Sequence, residues 1–542
     1  MIRKLDKSLL TIAVLFPAAT IVMGAEAPLT HHVRNVVASG EAKYVGRLSP
    51  TQSMRIVLVL PLRNQADLDA LLRDLYNPFS VNYRNFLTVE EFTVMFGPKQ
   101  EDYDAAVSYA RTKGLTVVGT SRNRVNLDVE GKVPEIEAAV HVHMNIYQHP
   151  TENRTFFAPD REPSTDLPFA LWHVAGLDNY SLARPQLTAR PESARPAATT
   201  GSCPSASFCG SDMRAAYYGT GKLTGKGQSL GLLEFAGTDL TDLNAYYTNA
   251  HQTNNVPITL LSTDGTSTSC VYPSCDDTEQ TIDMTQALGM APGLSSLVMY
   301  IGSTDSAIFN AMATANPLNA QLSSSWSWKP VDPSTDDPYF VEFAVQGQNL
   351  FQASGAGKWT TGQDIWPADD QYVTCVGGTG LTTAGARGPW AFETAGYGGG
   401  GISIDDIAIP FWQVKTAEGC TDCSKTLRNG PDVSANASYT FYVCADQQPC
   451  TANLYGGTSF STPMWAGYLA LANEEAVANG KTIGFINPTL YNVGLGPHYD
   501  KAFHDITSGS NGYPATVGYD LASGWGSPNG ATLAAILART LK

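Results

Sequence analysis

Apolar positions along the chain follow two different patterns. Up to about residue 180, short strands alternate with amphipathic helices. Arg55 to Leu60 reads as a strand, and Asn64 to Tyr76 as a helix with Leu68, Leu71, Leu72 and Leu75 on one stripe. Glu101 to Lys113 predicts a second helix and Val133 to Ala139 a third. Leu115 to Gly119, Arg124 to Val129 and Met144 to Tyr147 complete four strands. Helices alternating with four strands predict a ferredoxin-like α+β sandwich.

Further on, the strands lose their polar alternation. Ser229 to Glu234, Leu297 to Tyr300, Ala320 to Ser325 and Leu350 to Ser354 read as strands built mostly of apolar and small residues, with Leu297 to Tyr300 apolar throughout. Helical patterns lie between them at Leu240–His251, Glu279–Met290, Ala307–Ala315 and Tyr339–Gly347. Strands of this kind alternating with helices predict an α/β domain, a parallel sheet covered by helices on both faces.

Residues 184–202, from Arg184-Pro185-Gln186 to Thr200-Gly201-Ser202, separate the two patterns with repeated Pro among Ala, Ser and Thr. Such a segment buries too little apolar surface to order itself and is an expected site of proteolytic cutting. At the N-terminus, Arg3, Lys4 and Lys7 precede an apolar run to Met23 and the small residues Gly24, Ala25 and Ala27. This is the pattern of a secretory signal peptide over residues 1–25, and the run is short for a membrane anchor. The expected division is therefore 1–25 signal peptide, 28–183 N-terminal domain, 184–202 linker open to cutting and 203–542 main domain.

The nine cysteines all follow residue 202. Eight form close couples, Cys203/Cys209, Cys270/Cys275, Cys420/Cys423 and Cys444/Cys450, as disulfides in a secreted, extracellular protein would. A zinc site on Cys420 and Cys423 with Cys444 and Cys450 is the alternative, and Cys375 is expected as a buried thiol. Charge divides at the same boundary. Of 34 Lys and Arg and 50 Asp and Glu, residues 203–542 hold 13 and 29, so the whole net charge of −16 belongs to this part. Such a surface disfavours nucleic acid and anionic membranes as partners, and it suits work at low pH, where self-repulsion falls.

Two clusters carry candidate chemistry. Gly456-Gly457-Thr458-Ser459-Phe460-Ser461-Thr462-Pro463 leads into a wholly apolar helical run, with Pro463 expected in the first turn. A serine at that helix start sits in a positive field beside free N–H groups, although alone it reads equally as an N-cap. Glu279 and Asp283, four residues apart, project from one helix face; alone they read equally as a solvated acidic face. Beyond residue 202 only His251, His498 and His504 are present, none in the setting of a general base. A serine nucleophile here would need a carboxylate as its base.

These residues resemble the sedolisin (kumamolisin-like) family of serine-carboxyl peptidases. The resemblance extends through Gly398–Ser403, Pro410–Gln413, Pro431–Ala437, Phe503–Thr507 and Gly524–Pro528, and through Asn82–Thr88 with Glu91 and Phe92 in the N-terminal part. It implies a subtilisin-like fold and a secreted acid endopeptidase acting on proteins and peptides. It also implies a self-processing zymogen whose prodomain inhibits in cis; a monomer is expected. Ser459 would be the nucleophile, Glu279 its base and Asp283 the carboxylate that orients Glu279. A Ca²⁺ site would take the carboxylates of Asp505 and Asp520 and the carbonyls of Ile506, Thr516 and Gly518, an all-oxygen set that suits this ion. The alternative is that Asp505 and Asp520 only cap turns.

The chain departs from the family where an oxyanion aspartate is expected. In Ser354-Gly355-Ala356-Gly357, Ala356 stands in its place, with Asp364 the nearest acid in sequence. A smaller departure is Ser327, where the family commonly has Gly. The alternative function is accordingly a weakened or inactive sedolisin-like binding protein.

Overall fold

The computed structural model describes residues 29–190 and 200–539; the expected signal peptide lies outside them. In the C-terminal part the apolar strands assemble into one eight-stranded sheet. We label its strands β1 (Ser229–Glu234), β2 (Ile258–Ser262), β3 (Ser296–Ile301), β4 (Gln321–Ser324), β5 (Asn349–Ala353), β6 (Val373–Thr383), β7 (Trp390–Ala395) and β8 (Val433–Asn436). The order is β2-β3-β1-β4-β5-β6, parallel throughout, with β8 parallel and β7 antiparallel to β6. Of these strands, β4 and β5 are buried at every residue, so neither face of them alternates.

Two helices, α1 (Thr278–Met290) and α2 (Thr458–Ala478), pack against each other beside this sheet. α2 is buried from Thr458 to Asn473, as its unbroken apolar sequence requires. It begins at Thr458, earlier than expected, so Pro463 lies in its second turn. Proline has no N–H, and the Ser459 carbonyl thereby loses its helical donor. Among the described residues no helix is long and apolar enough to cross a membrane.

The N-terminal part is an antiparallel four-stranded sheet in the order Thr116–Thr120, Asn126–Lys132, Ser53–Val59, His173–Ala175. This is the ferredoxin-like order, with one correction. The fourth strand is His173–Ala175, whereas Met144–Gln148 joins a separate sheet with Lys43–Arg47 and Thr155–Pro159. The helices Gln65–Leu75, Gln100–Thr112 and Val133–Val140 form as expected. A further one, Val89–Met95, starts at a Thr88/Glu91 capping box.

The two parts share an apolar core, since Val57, Val59, Leu68 and Phe92 join the main cluster with Trp328, Phe340 and Phe343. Polar contacts cross the same boundary: Asn123 Nδ2 donates to Glu342 Oε2 at 2.8 Å, and Tyr339 donates to Asn126 Oδ1 at 2.7 Å. The four expected disulfides are present and Cys375 is a buried thiol, so Cys420 and Cys423 are not free for zinc.

The segment after the prodomain differs most from its expectation. Arg184–Pro185 pairs antiparallel with Trp326–Ser327, and Leu187–Ala189 pairs antiparallel with Tyr455–Gly457. Residues 184–190 are therefore an ordered strand laid across the peptidase part, not a free linker. The alternation that would announce a strand is masked by Pro185 and the short polar side chains around it, and its pairing partners lie far away in sequence. Residues 191–199 are outside the described set.

Candidate active site

Helices α1 and α2 bring the three candidate residues together. Glu279 and Asp283 sit one turn apart on the buried side of α1, and Ser459 is the second residue of α2; all three are within 3% of full burial. Neither the Ser459 hydroxyl nor the Glu279 carboxyl meets a partner in hydrogen-bond geometry. Ser459 and Ser325 nevertheless stand close enough to Glu279 to oppose the upward shift of its pKa. That shift comes first from burial and then from the charge of Asp283. Burial likewise pushes Asp283 up to about 8, against the Ser325 hydroxyl, which donates to Asp283 Oδ1 at 2.6 Å, and against Glu234.

Glu234 is a residue that pattern reading missed. It closes strand β1, is fully buried, and is held well above the carboxylate range by burial and by Asp283. Trp326 Nε1 donates to its Oε2 at 3.0 Å. The result is a chain of interacting groups running Ser459, Glu279, Asp283, Glu234, Trp326. An ionisable residue ending the apolar strand Leu230-Gly231-Leu232-Leu233-Glu234 was the available signal. Like charges this close do not all ionise together, so the trio can hold a single negative charge with its neighbours protonated.

The first N–H groups of a helix have no intrahelical partner, and the start of α2 lies against residues 187–189. Gln186 N donates to the Ser325 carbonyl at 2.9 Å. On the other side Leu187 is registered against Gly457. A Cβ built at Gly457, where φ is +126°, would stand 2.2 Å from the Gln186 carbonyl oxygen. Only glycine allows that approach. The Gln186–Leu187 peptide is thus clamped between Ser325 and the start of α2.

Ala356 is exposed in the turn after β5, and next to it Gly355 N donates to Thr458 Oγ1 at 3.1 Å. The turn thus reaches the head of α2. Asp364 lies elsewhere: burial raises its pKa, and its charged neighbours are Arg184, Lys329, Glu152 and Arg34. The Pro431–Ala437 motif is structural. Asp432 forms a fully buried ion pair with Arg428 at 2.6 Å and accepts from Asn487 and Tyr491. His504 stacks on Trp390 at 4.1 Å, and burial lowers its pKa to about 4, so it is a neutral packing group.

The candidate calcium ligands form a second locus. Asp505 Oδ1 accepts from Tyr499 at 2.8 Å, and Asp520 Oδ1 from the N–H groups of Ala522 and Ser523. Gly518 and Thr516 meet these carboxylates through their N–H groups, and Ile506 is buried beside them. Burial raises the pKa of both acids, and both act on Tyr499. Neither makes an ion pair among the described residues. Two partly buried carboxylates without a counter-cation would suit a hard cation, although the backbone groups that meet them here are N–H donors, as in turn caps.

Residues 40–179 match the family model described as the pro-kumamolisin activation domain. Kumamolisin of Bacillus sp. (strain MN-32) is 28% identical over an alignment covering 90% of this chain and 92% of that protein. The chain is similar to the sedolisin-type peptidases over most of its length. Xanthomonalisin of Xanthomonas sp. (strain T-22) is 27% identical, covering 94% of this chain and 69% of its own. The fold is that of Pseudomonas sedolisin, a serine-carboxyl proteinase solved with two molecules of pseudo-iodotyrostatin. That structure superposes with a TM-score of 0.53 at 22% identity over 63% of this chain and 98% of its own. On this similarity the chain is a serine-carboxyl peptidase carrying an activation domain.

Proposed function

We propose that this protein is a secreted endopeptidase that works in acid and first cuts its own chain at Gln186–Leu187. The observation that carries this reading is the strand 184–189, bound antiparallel on both sides of the Ser459 helix start with its Gln186 carbonyl against Gly457. Ser459 Oγ attacks the Gln186 carbonyl carbon while Glu279 accepts the hydroxyl proton. The tetrahedral oxyanion is met by free N–H groups at the head of α2. Collapse breaks the C–N bond, and the proton on Glu279 passes to the Leu187 nitrogen. Water then cleaves the acyl-enzyme by the same steps in reverse.

Acid action follows from the three carboxyls. With Asp283 and Glu234 protonated, their charge no longer opposes Glu279, which can then carry the single negative charge of the trio. The precursor should release fragments from an unfolded protein substrate only after acidification. Absence of hydrolysis across the acidic range would favour the inactive binding protein instead. Since Ala356 supplies no acid to the oxyanion, Ala356→Asp should raise kcat in acid by ~10-fold, and the gain should fade as the new carboxyl ionises. Equal kcat values for the two proteins throughout the pH range would count against this oxyanion site.

Secretion is supported by the four disulfides, which persist in oxidising compartments. We assign Ca²⁺ to Asp505 and Asp520 with carbonyls of Ile506, Thr516 and Gly518; when bound it neutralises the two desolvated carboxylates and closes the loop. Excess chelator should lower Tm by several degrees, since an ion held only by the native state stabilises it by mass action. Asp520→Ala should abolish that response. An unchanged Tm on chelation would remove the site.

A further inference from the structure

A cavity of about 570 Å³ lies beside the bound strand on the Arg184 side, and its walls divide between the two parts of the chain. The peptidase contributes Phe235, Trp326 and Trp328, whose rings meet edge to face at 5.6 Å, and the carboxyls of Asp305 and Asp336. The guanidinium lining it, Arg34, comes from the activation domain, as do its partner Asp178 and the imidazoles of His32 and His173. Asp336 is fully buried; Trp366 donates to its Oδ2 at 2.8 Å, and its Oδ1 has no partner. Burial raises Asp305, and Arg34 opposes that shift while donating to Asp178 and to the Lys329 carbonyl.

The bound strand alternates towards this cavity. Ala183 and Pro185 are half-buried against the enzyme, whereas Leu182 and Arg184 are exposed. Counted back from the Gln186–Leu187 bond, Ala183 is the fourth residue on the acyl side, and its methyl group lines the cavity while leaving most of it unfilled.

We propose that this cavity is the subsite for the fourth acyl-side residue and that it selects lysine or arginine there. The methylene stem would lie along Trp326 and Trp328, with the cation over their rings and paired with Asp305 and Asp336. Arg34 stands in for that cation in the zymogen. When the activation domain leaves, Arg34 leaves with its partner Asp178, and an aromatic slot with the carboxyls of Asp305 and Asp336 remains. The inference rests on the reading of 184–189 as a substrate in place.

The test uses the acid-activated enzyme and peptides of one sequence that differ only at the fourth acyl-side residue. With Lys or Arg there, kcat/KM should exceed the norleucine peptide by ~10-fold and the Glu peptide by more, the scale of one partly desolvated ion pair. Asp305→Asn should narrow the ratio of Lys to norleucine, and Asp336→Asn provides the second variant should the first fail to fold. Equal kcat/KM for Lys, norleucine and Glu, or preference for Phe, would overturn the basic subsite while leaving the peptidase reading intact. Failure of the wild-type enzyme to cut any of the peptides would overturn that underlying reading and the subsite with it.

Discussion

Ser459→Ala leaves the precursor at full length in acid and lowers kcat on added substrate by ~10⁶, the scale on which a serine nucleophile acts together with its base. The side chain lost is a single hydroxyl at the second position of α2, where no hydrogen bond of good geometry depends on it. Tm of the variant should therefore stay within a few degrees of the parent's, which separates chemistry from folding. Glu279→Gln should come close to the same loss, because the amide cannot take the proton yet keeps the shape of the side chain. Substantial residual cutting by a clean Ser459→Ala preparation, measured by fragment release, would remove Ser459 as nucleophile.

The second large effect is a fall in stability as pH rises. Burial holds Asp283, Asp337 and Glu342 up to about 8 and Asp370 up to about 7, and it lifts Glu234 and Asp336 well above their usual range. The unfolded chain ionises these acids near pH 4. Between pH ~4 and ~8 the native state thus binds more protons than the unfolded state, and stability falls with each step upward. One pKa unit corresponds to about 1.4 kcal/mol, so even a heavily discounted set amounts to several kcal/mol and a Tm lower by on the order of 10 °C at pH 8 than at pH 5. Glu162 works in the opposite sense. Burial pushes it up, but His32 and two backbone N–H groups outweigh burial and hold it down at about 2, so its contribution is lost only in strong acid. Calorimetry on Ser459→Ala, which stays unprocessed, measures the trend; a Tm that rises from pH 5 to pH 8 would contradict the burial of these acids.

Much of this architecture was legible in the sequence where a strand or helix is buried on all sides. β1, β3, β4 and β5 have no solvent-facing side that would impose a regular polar alternation, and α2 is apolar from Phe460 to Ala472 apart from small hydroxyls. Half-exposed elements were harder. Lys43–Arg47 is exposed or half-exposed along its whole length, and its pairing with Met144–Gln148 depends on residues about a hundred positions away. The Thr88/Glu91 box marked a helix too short for a periodic stripe. In the site, the Glu279/Asp283 spacing and the glycines before Ser459 carried local chemistry, whereas Glu234 carried none until β1 stood beside α1. The strand at 184–189 gave no signal, because its order comes from two pairings with Trp326–Ser327 and Tyr455–Gly457 and from no property of its own.

That strand also offers the most direct test. If Ser459 attacks the carbonyl held against Gly457, acidifying the purified precursor must produce a new N-terminus at Leu187, readable by intact mass and terminal sequencing of the first product. The yield per molecule should not depend on protein concentration, since enzyme and bond belong to one chain. Early products beginning at Leu187 in the parent, and none in Ser459→Ala, are the result expected. A first cut elsewhere in residues 184–202 or within the activation domain, with Gln186–Leu187 intact, would contradict the assignment of this bond to this serine.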